Sequence, residues 1–444
     1  MLVLFAVLLV APLLGQQTLV SPPKEIAQVA DIDSGNKSSD EADDMQSLRR
    51  WLRDKRMITI KELGGDLSLS AEVRTEFQAS NEESKAAGAS SFTRQRGKGA
   101  PIPNKKSMPK PMYAWDVELN LMLDYRTDRA WAAARIEFDN DMGQRSGTTD
   151  KIKLEKAYLG GRIVAGDTLT IDSEIGRRFL FNVYDSKIEF SSIFDGVLVR
   201  LSKAFPSMGD YYFLPGAFLI NDVTSHYGWV AEMGGLQIAN TGLNIKYSII
   251  DWYRPGGENM SGQTAAQTKA AQLRYQFLVS QFQVQYYLYP EWIGKRLIKL
   301  YAAGLTNHLA SPLAITNHQK QNWGWYTGVS IGVAKKKGEF ALDANYQWVQ
   351  AQAVPEFDSN GIGRGNALGL GFYTQYTDGG GGPNTSPSQP VGGTNFKGFE
   401  IEGLYALTDN LVVQQSYKMS WTLDHDIGPD LKYKQYEIEF IYAF

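Results

Sequence analysis

The chain has 444 residues, a formal net charge of -3 and no cysteine. Charge so close to balance gives no electrostatic basis for nucleic-acid binding, and the missing thiols exclude disulfides, thiolate zinc sites, iron–sulfur clusters and cysteine nucleophiles. Mean hydropathy is -0.30 although the chain carries 23 Tyr, 20 Phe and 10 Trp, a balance suited to strands with one face toward lipid and the other toward water.

The first residues, MLVLFAVLLVAPLLGQQ, form an apolar run too short to cross a bilayer as a helix. They read as a secretory signal peptide over residues 1–15, although no Lys or Arg precedes the run and Leu13 is large for a cleavage site. A buried N-terminal strand is the alternative. No later stretch reaches about 18 apolar residues, so no helical membrane span is expected. Residues 16–56 are polar, with the acidic run DSGNKSSDEADD, and read as a periplasmic extension. Within them Met45, Leu48, Trp51 and Leu52 fall at helical spacing and predict a short amphipathic helix.

From about residue 58 a period of two takes over, the signature of strands. Leu67, Leu69, Ala71, Val73 and Phe77 alternate with Ser68, Ser70, Glu72, Arg74 and Glu76. Tyr113, Trp115, Val117, Leu119, Leu121, Leu123 and Tyr125 alternate with Asp116, Glu118, Asn120, Asp124 and Arg126. These runs reach about 12 residues, longer than the usual strand of a soluble sheet and right for a tilted membrane crossing. Similar runs occupy 130–139, 169–175, 194–203, 243–253, 272–280, 282–289, 297–306, 323–333, 339–350, 396–406, 411–421 and 433–444, with fainter ones near 152–163, 210–220, 227–237 and 366–375. Short turns such as Thr127-Asp128-Arg129 and Thr408-Asp409-Asn410 alternate with long polar loops at 79–112, 140–150, 254–270, 307–321, 351–365 and 376–395. Short on one side and long on the other is the asymmetry of an outer-membrane barrel, and the spacing predicts about 16 strands over residues 57–444.

An all-β, antiparallel transmembrane barrel of this kind needs a hydrated lumen. Its inward wall is expected to carry Glu72, Arg74, Glu76, Asp116, Glu118, Asp124, Arg126, Arg135, Glu137 and Asp139. If 179–193 folds inward, Asp185 and Glu189 are expected to oppose Arg177, Arg178, Lys187 and Arg200 across the narrowest point, giving a transverse field. The first long loop has seven basic residues, Lys85, Arg94, Arg96, Lys98, Lys105, Lys106 and Lys110, and would draw anions or hold lipopolysaccharide phosphates, unless it is simply solvated.

The end of the chain is the sharpest motif: Tyr436, Ile438, Phe440, Tyr442 and Phe444 alternate with Gln435, Glu437, Glu439, Ile441 and Ala443. EIEFIYAF resembles the C-terminal assembly signal of the Gram-negative porins. Tyr405-Ala406-Leu407-Thr408-Asp409-Asn410-Leu411 is similar to a porin hairpin. Ile175-Gly176-Arg177-Arg178 and Phe194-Asp195-Gly196-Val197 are similar to the stretches flanking the porin constriction loop. A weaker likeness is to the predicted porins of chlamydia-like bacteria; the chain departs from chlamydial major outer-membrane proteins in lacking cysteine, and from general porins in its long N-terminal extension. The resemblance implies a homotrimer of 16-stranded barrels in the outer membrane, inserted by the barrel-assembly machinery. It also implies contact with lipid and lipopolysaccharide and passive diffusion of small hydrophilic solutes.

Neither enzymatic activity nor a cofactor or metal is expected. His226, His308, His318 and His425 lie far apart without ligand spacing, and Gly361-Ile362-Gly363-Arg364-Gly365 has no surrounding βαβ pattern. A surface adhesin or a specific substrate-binding barrel with little conductance is the alternative from another class, and a soluble exported β-sandwich is a second.

Overall fold

The computed structural model describes residues 58–62, 65–84, 92–95, 98–103, 112–142, 151–166, 169–222, 226–253, 276–312, 316–355, 357–360, 362, 393–427 and 430–444. The expected signal peptide, periplasmic extension and amphipathic helix, the run at 366–375 and most of the basic loop lie outside the described residues. The strands are β1 (Ile58–Glu62), β2 (Gly65–Ser84), β3 (Phe92–Gln95), β4 (Lys98–Pro103), β5 (Met112–Arg126), β6 (Ala130–Asp141), β7 (Lys151–Ala165), β8 (Leu169–Phe179), β9 (Ile193–Phe205) and β10 (Gly209–Asn221). They continue with β11 (His226–Leu236), β12 (Leu243–Tyr253), β13 (Phe277–Leu288), β14 (Ile298–Asn307), β15 (Trp323–Gly332), β16 (Phe340–Val349), β17 (Phe396–Ala406), β18 (Leu411–Thr422) and β19 (Leu431–Ala443).

β2 and β5 to β19 form a closed, antiparallel barrel of 16 strands in which each strand pairs with the next and β19 returns to β2. Closure matters because lipid offers no partner for an open row of backbone N–H and C=O groups. The seam runs from Ala443 opposite Glu72 to Leu431 opposite Ser84. Reciprocal bonds of 2.9 Å between Phe444 and Ala71 extend it, and β1 continues the same row, with Ile58 opposite Leu69. Two details differ from the periodicity. The runs at 272–280 and 282–289 merge into the single strand β13, and the loop after β2 carries the small β3–β4 hairpin.

Alternation decides what each strand shows to each side. In β5, Trp115 is 53% exposed and the next residue, Asp116, only 9%. Apolar side chains exposed and charged ones covered is the reverse of a soluble protein, and it is what a lipid-facing wall requires. Exposed aromatics form two girdles. Tyr113, Trp115, Tyr227, Trp229, Tyr253 and Trp323 lie at the long-loop end, and Phe340, Tyr405, Tyr442 and Phe444 lie at the short-turn end. Tyr436, Ile438 and Phe440 continue the outward row of β19, opposite inward Gln435, Glu437 and Glu439.

Two of the short turns share one local device. Thr127 Oγ1 accepts the backbone N–H of Arg129 and Ala130 at 3.3 and 2.9 Å, and Thr408 Oγ1 accepts those of Asn410 and Leu411 at 3.2 and 3.0 Å. A threonine hydroxyl thus replaces the partner that the turn takes away.

Gly176 and Gly196 stand opposite each other across β8 and β9. A Cβ on Gly196 would lie 2.0 Å from the Ala217 carbonyl oxygen and 2.6 Å from Phe218 Cα. Gly196→Ala should therefore destabilise the barrel by about 1–3 kcal/mol through overpacking against backbone. The measurement is the temperature at which the folded species is lost in a heat-modifiability gel; an unchanged midpoint would contradict the close approach.

Candidate pore constriction

β8 and β9 end at Phe179 and Ile193, and residues 180–192 between them turn into the barrel. The reason is in their side chains. Leu180, Val183, Tyr184, Ile188 and Phe190 are fully buried, and the wall they meet is apolar as well: Phe194, Phe218, Val230, Ile250, Trp252, Phe277 and Val349. Left in water, each would forgo about 1.5–3 kcal/mol of burial free energy. Gly216 makes room, since a Cβ there would come within 2.8 Å of Tyr184 Oη.

A second segment follows the first inward. After β16 the chain buries Ala353, Val354 and Ile362 in the same cluster, and Ala351 beside them in sequence is buried as well. Asp358 clasps the two segments together: its carboxylate accepts the N–H of Phe190 and of Ser192, both at 2.9 Å, and its carbonyl accepts that of Ser191 at 3.1 Å. Asn360 N–H also donates to the Ile188 carbonyl at 2.6 Å.

Charges on the infolded loop are met by the wall. Asp185 receives Lys246 Nζ at 3.0 Å and Gln285 Nε2 at 2.6 Å, while Gln281 donates to its carbonyl at 2.6 Å. Lys187 Nζ lies 3.0 Å from Asp343, which also accepts from Tyr301, Ser330 and Asn345. Glu189 is buried near Asp358 and Trp252, and this burial raises its carboxyl well above the usual range.

The expected ring of opposed acids and bases is therefore corrected. Arg177 and Arg178 are neighbours in one strand, so only one can face inward. Arg178 does, paired with Glu174, stacked 4.7 Å over the Tyr158 ring and donating to the Asn182 carbonyl at 3.2 Å. Arg177 faces outward, bidentate to Asp195 at 2.7 and 2.8 Å. Arg200 is buried below the loop, donating to Ser202 Oγ at 2.9 Å and lying 5.2 Å from the Tyr212 ring. None of the three opposes Asp185 or Glu189; local pairing consumes the charges that were to set up a transverse field.

The opposite wall is different in kind. Glu72, Arg74, Glu76, Asp116, Glu118, Arg135, Glu137 and Asp139 all project from the inward positions of β2, β5 and β6. Glu72 gathers Arg74 at 2.8 Å, Asn120 at 2.9 Å and Arg135 at 3.5 Å, and Lys153 bridges Glu137 at 2.6 Å and Asp139 at 3.6 Å. Exposure on this wall is uneven: the side chains of Lys153 and Arg135 keep 48% and 27% exposure while Glu72, Glu76, Asp116 and Glu137 are buried, and Lys246 and Lys187 on the packed side keep 7% and 11%. The loop thus fills the β10–β16 side of the lumen, and the more exposed inward charges stand on β6 and β7.

Sequence reasoning did not find Lys246, Gln285, Asp343 or Asp358. The first three were legible as inward positions of strands, but nothing local names their partner across the lumen. Asp358 lay in a segment expected to be an outward loop; its apolar neighbours Ala351, Ala353, Val354 and Phe357 were the available signal.

No protein-family profile and no curated protein sequence matches this chain. Among solved structures, OprB of Pseudomonas putida is similar at a TM-score of 0.50 and 10% identity, covering 90% of this chain and 97% of that one. The outer membrane channel DcaP of Acinetobacter baumannii is similar at a TM-score of 0.46 and 11% identity, over 87% of this chain and 100% of that one. OmpF of Salmonella typhi has a TM-score of 0.46 and 10% identity over the same shares. The likeness to OprB is one of fold, which in this chain is a closed antiparallel barrel of 16 strands.

Burial outweighs the amide and hydroxyl donors around Asp358 and lifts its carboxyl to about 7. Its folded pKa then exceeds the unfolded value of about 3.9. The stability it contributes is complete below about pH 4 and is lost as pH rises through about 7. Amides of 180–192 should therefore exchange faster at pH 8 than at pH 5, after correction for intrinsic exchange. Asp358→Asn should reduce that difference, leaving the share of Glu189, whose carboxyl is raised by the same burial; equal protection at both pH values in the wild type would count against a raised Asp358 carboxyl.

Proposed function

We propose that this chain is an outer-membrane porin, a passive channel for small hydrophilic solutes and ions, with an off-centre passage along β5–β7. The observation that carries this reading is the water-exposed, charged inner wall around Arg135 and Lys153 inside a barrel whose outer face is apolar. An apolar outer belt suits lipid, and a charged wall that remains hydrated suits ions in transit. The passage is narrow, because residues 180–192 together with 350–355, 357–360 and 362 occupy the other half of the lumen. It carries both signs of charge, with Arg135 and Lys153 against Glu118, Glu137, Asp139 and Glu155, so selectivity should be modest. By resemblance the working unit is a homotrimer, with lipopolysaccharide at its outer rim and the barrel-assembly machinery inserting it through the C-terminal aromatic row.

The packed half of the lumen favours a second reading, a substrate-specific barrel of low conductance. Planar-bilayer recording separates the two. Stable ohmic steps, smaller than an unfilled 16-stranded lumen would give, are expected for the porin; silence with tight solute binding would replace it by the receptor. Lys153→Glu should shift the reversal potential in a KCl gradient toward cation preference. A shift of zero in a conducting variant would move the passage away from this wall. Removing residues 183–191 should raise conductance severalfold.

A further inference from the structure

The seam that closes the barrel collects carboxylates that ordinary strand pairing would keep apart. Glu439 on β19 stands opposite Glu76 on β2, and Glu76 stands opposite Asp116 on β5. Like charges directly opposite on neighbouring strands destabilise a sheet, and these three are almost wholly covered. Glu437 joins them: carboxylate oxygens of Glu76, Glu437 and Glu439 all lie within 4.8 Å of one another. Arg74 reaches Glu439 at 3.7 Å and is held more closely by Glu72 at 2.8 Å. Glu437 receives amide N–H groups from Gln78 at 3.3 Å and Gln435 at 2.6 Å, which orient its carboxylate.

The adjoining strand supplies an independent observation. Ser416 stands opposite Glu437 and Gln414 opposite Glu439 on the inner face of β18. Both side chains are more than nine-tenths buried, and neither Ser416 Oγ nor Gln414 Oε1 has a hydrogen-bond partner among the described residues. Gln414 turns its amide nitrogen away, toward Glu402. Two neutral oxygens are thus left beside a buried group of carboxylates, the arrangement of hard oxygen donors that binds an alkaline-earth ion.

We propose that the β18–β19–β2 seam is a divalent-cation site, with Glu76, Glu437 and Glu439 as charged ligands and Ser416 and Gln414 as neutral ones. The span favours Ca2+. Oxygens on opposite sides of an ion at about 2.4 Å are about 4.8 Å apart, within calcium's range, whereas magnesium requires about 2.0–2.1 Å and near-octahedral order. The ion fastens the last strand to the first, so it acts on closure rather than on permeation.

The test is calorimetric titration of CaCl2 into the full-length barrel, in detergent, freed of lipopolysaccharide, stripped with EDTA and held in excess KCl. One saturable site is expected in the wild type and in Asp139→Asn, a lumen acid outside the seam. Glu439→Gln and Glu76→Gln should weaken it at least tenfold, Ser416→Ala severalfold, and MgCl2 should bind more weakly than CaCl2. Calcium should also raise the heat-modifiability midpoint of the wild type but not of Glu439→Gln. If Glu439→Gln does not fold, Glu437→Gln and Ser416→Ala carry the same comparison. Non-saturating heats, or unchanged affinity in the seam variants, would overturn the site. The readout needs no conductance, so its outcome is separate from that of the permeation reading.

Discussion

A strand inside a bilayer has no water to satisfy its backbone, so every N–H and C=O must find another strand. Here that demand is met only when β19 pairs with β2, over the stretch from Ala443–Glu72 to Leu431–Ser84. Closure then dictates parity around the whole ring. Once Tyr436, Phe440 and Tyr442 face lipid, Glu437, Glu439 and Ile441 must face the lumen, and each inward residue has to be hydrated, paired or covered.

Different sectors of the wall solve that problem differently. Along β5–β7 many inward residues are charged and meet one another in ion pairs, with Arg135 and Lys153 keeping part of their surface exposed. Between β10 and β16 the inward positions near the long loops include Phe218, Val230, Ile250, Trp252, Phe277 and Val349. An apolar surface in a wet lumen is unfavourable in proportion to its area, and residues 180–192 cover it with their own apolar side chains. The constriction is in this sense a small hydrophobic core built inside a membrane barrel, and hydrophobic burial rather than charge sets its position.

Charge on the loop is secondary, and it is neutralised where it lies. Asp185 and Lys187 are two residues apart yet reach opposite partners, Lys246 on β12 and Asp343 on β16. A buried charge without a partner is costly, so these pairs fix the loop's register against the wall. The same rule pairs the mixed charges on the opposite side, where Lys153 bridges Glu137 and Asp139.

Strand positions, their inward and outward faces, the loop asymmetry and the aromatic final strand were legible in the amino-acid sequence, because a period of two is a local property that each segment carries alone. The number of strands followed from spacing, although β13 was divided in two and the β3–β4 hairpin was missed. The side on which Arg177 falls was open to the same parity argument, which places it opposite to Arg178. Only the tertiary structure decided which strands the inward loop touches, that Asp358 clasps it, and that Glu76, Asp116, Glu437 and Glu439 gather at one seam. Those pairings join residues up to hundreds of positions apart, and they depend on register around a closed ring, which no local pattern encodes.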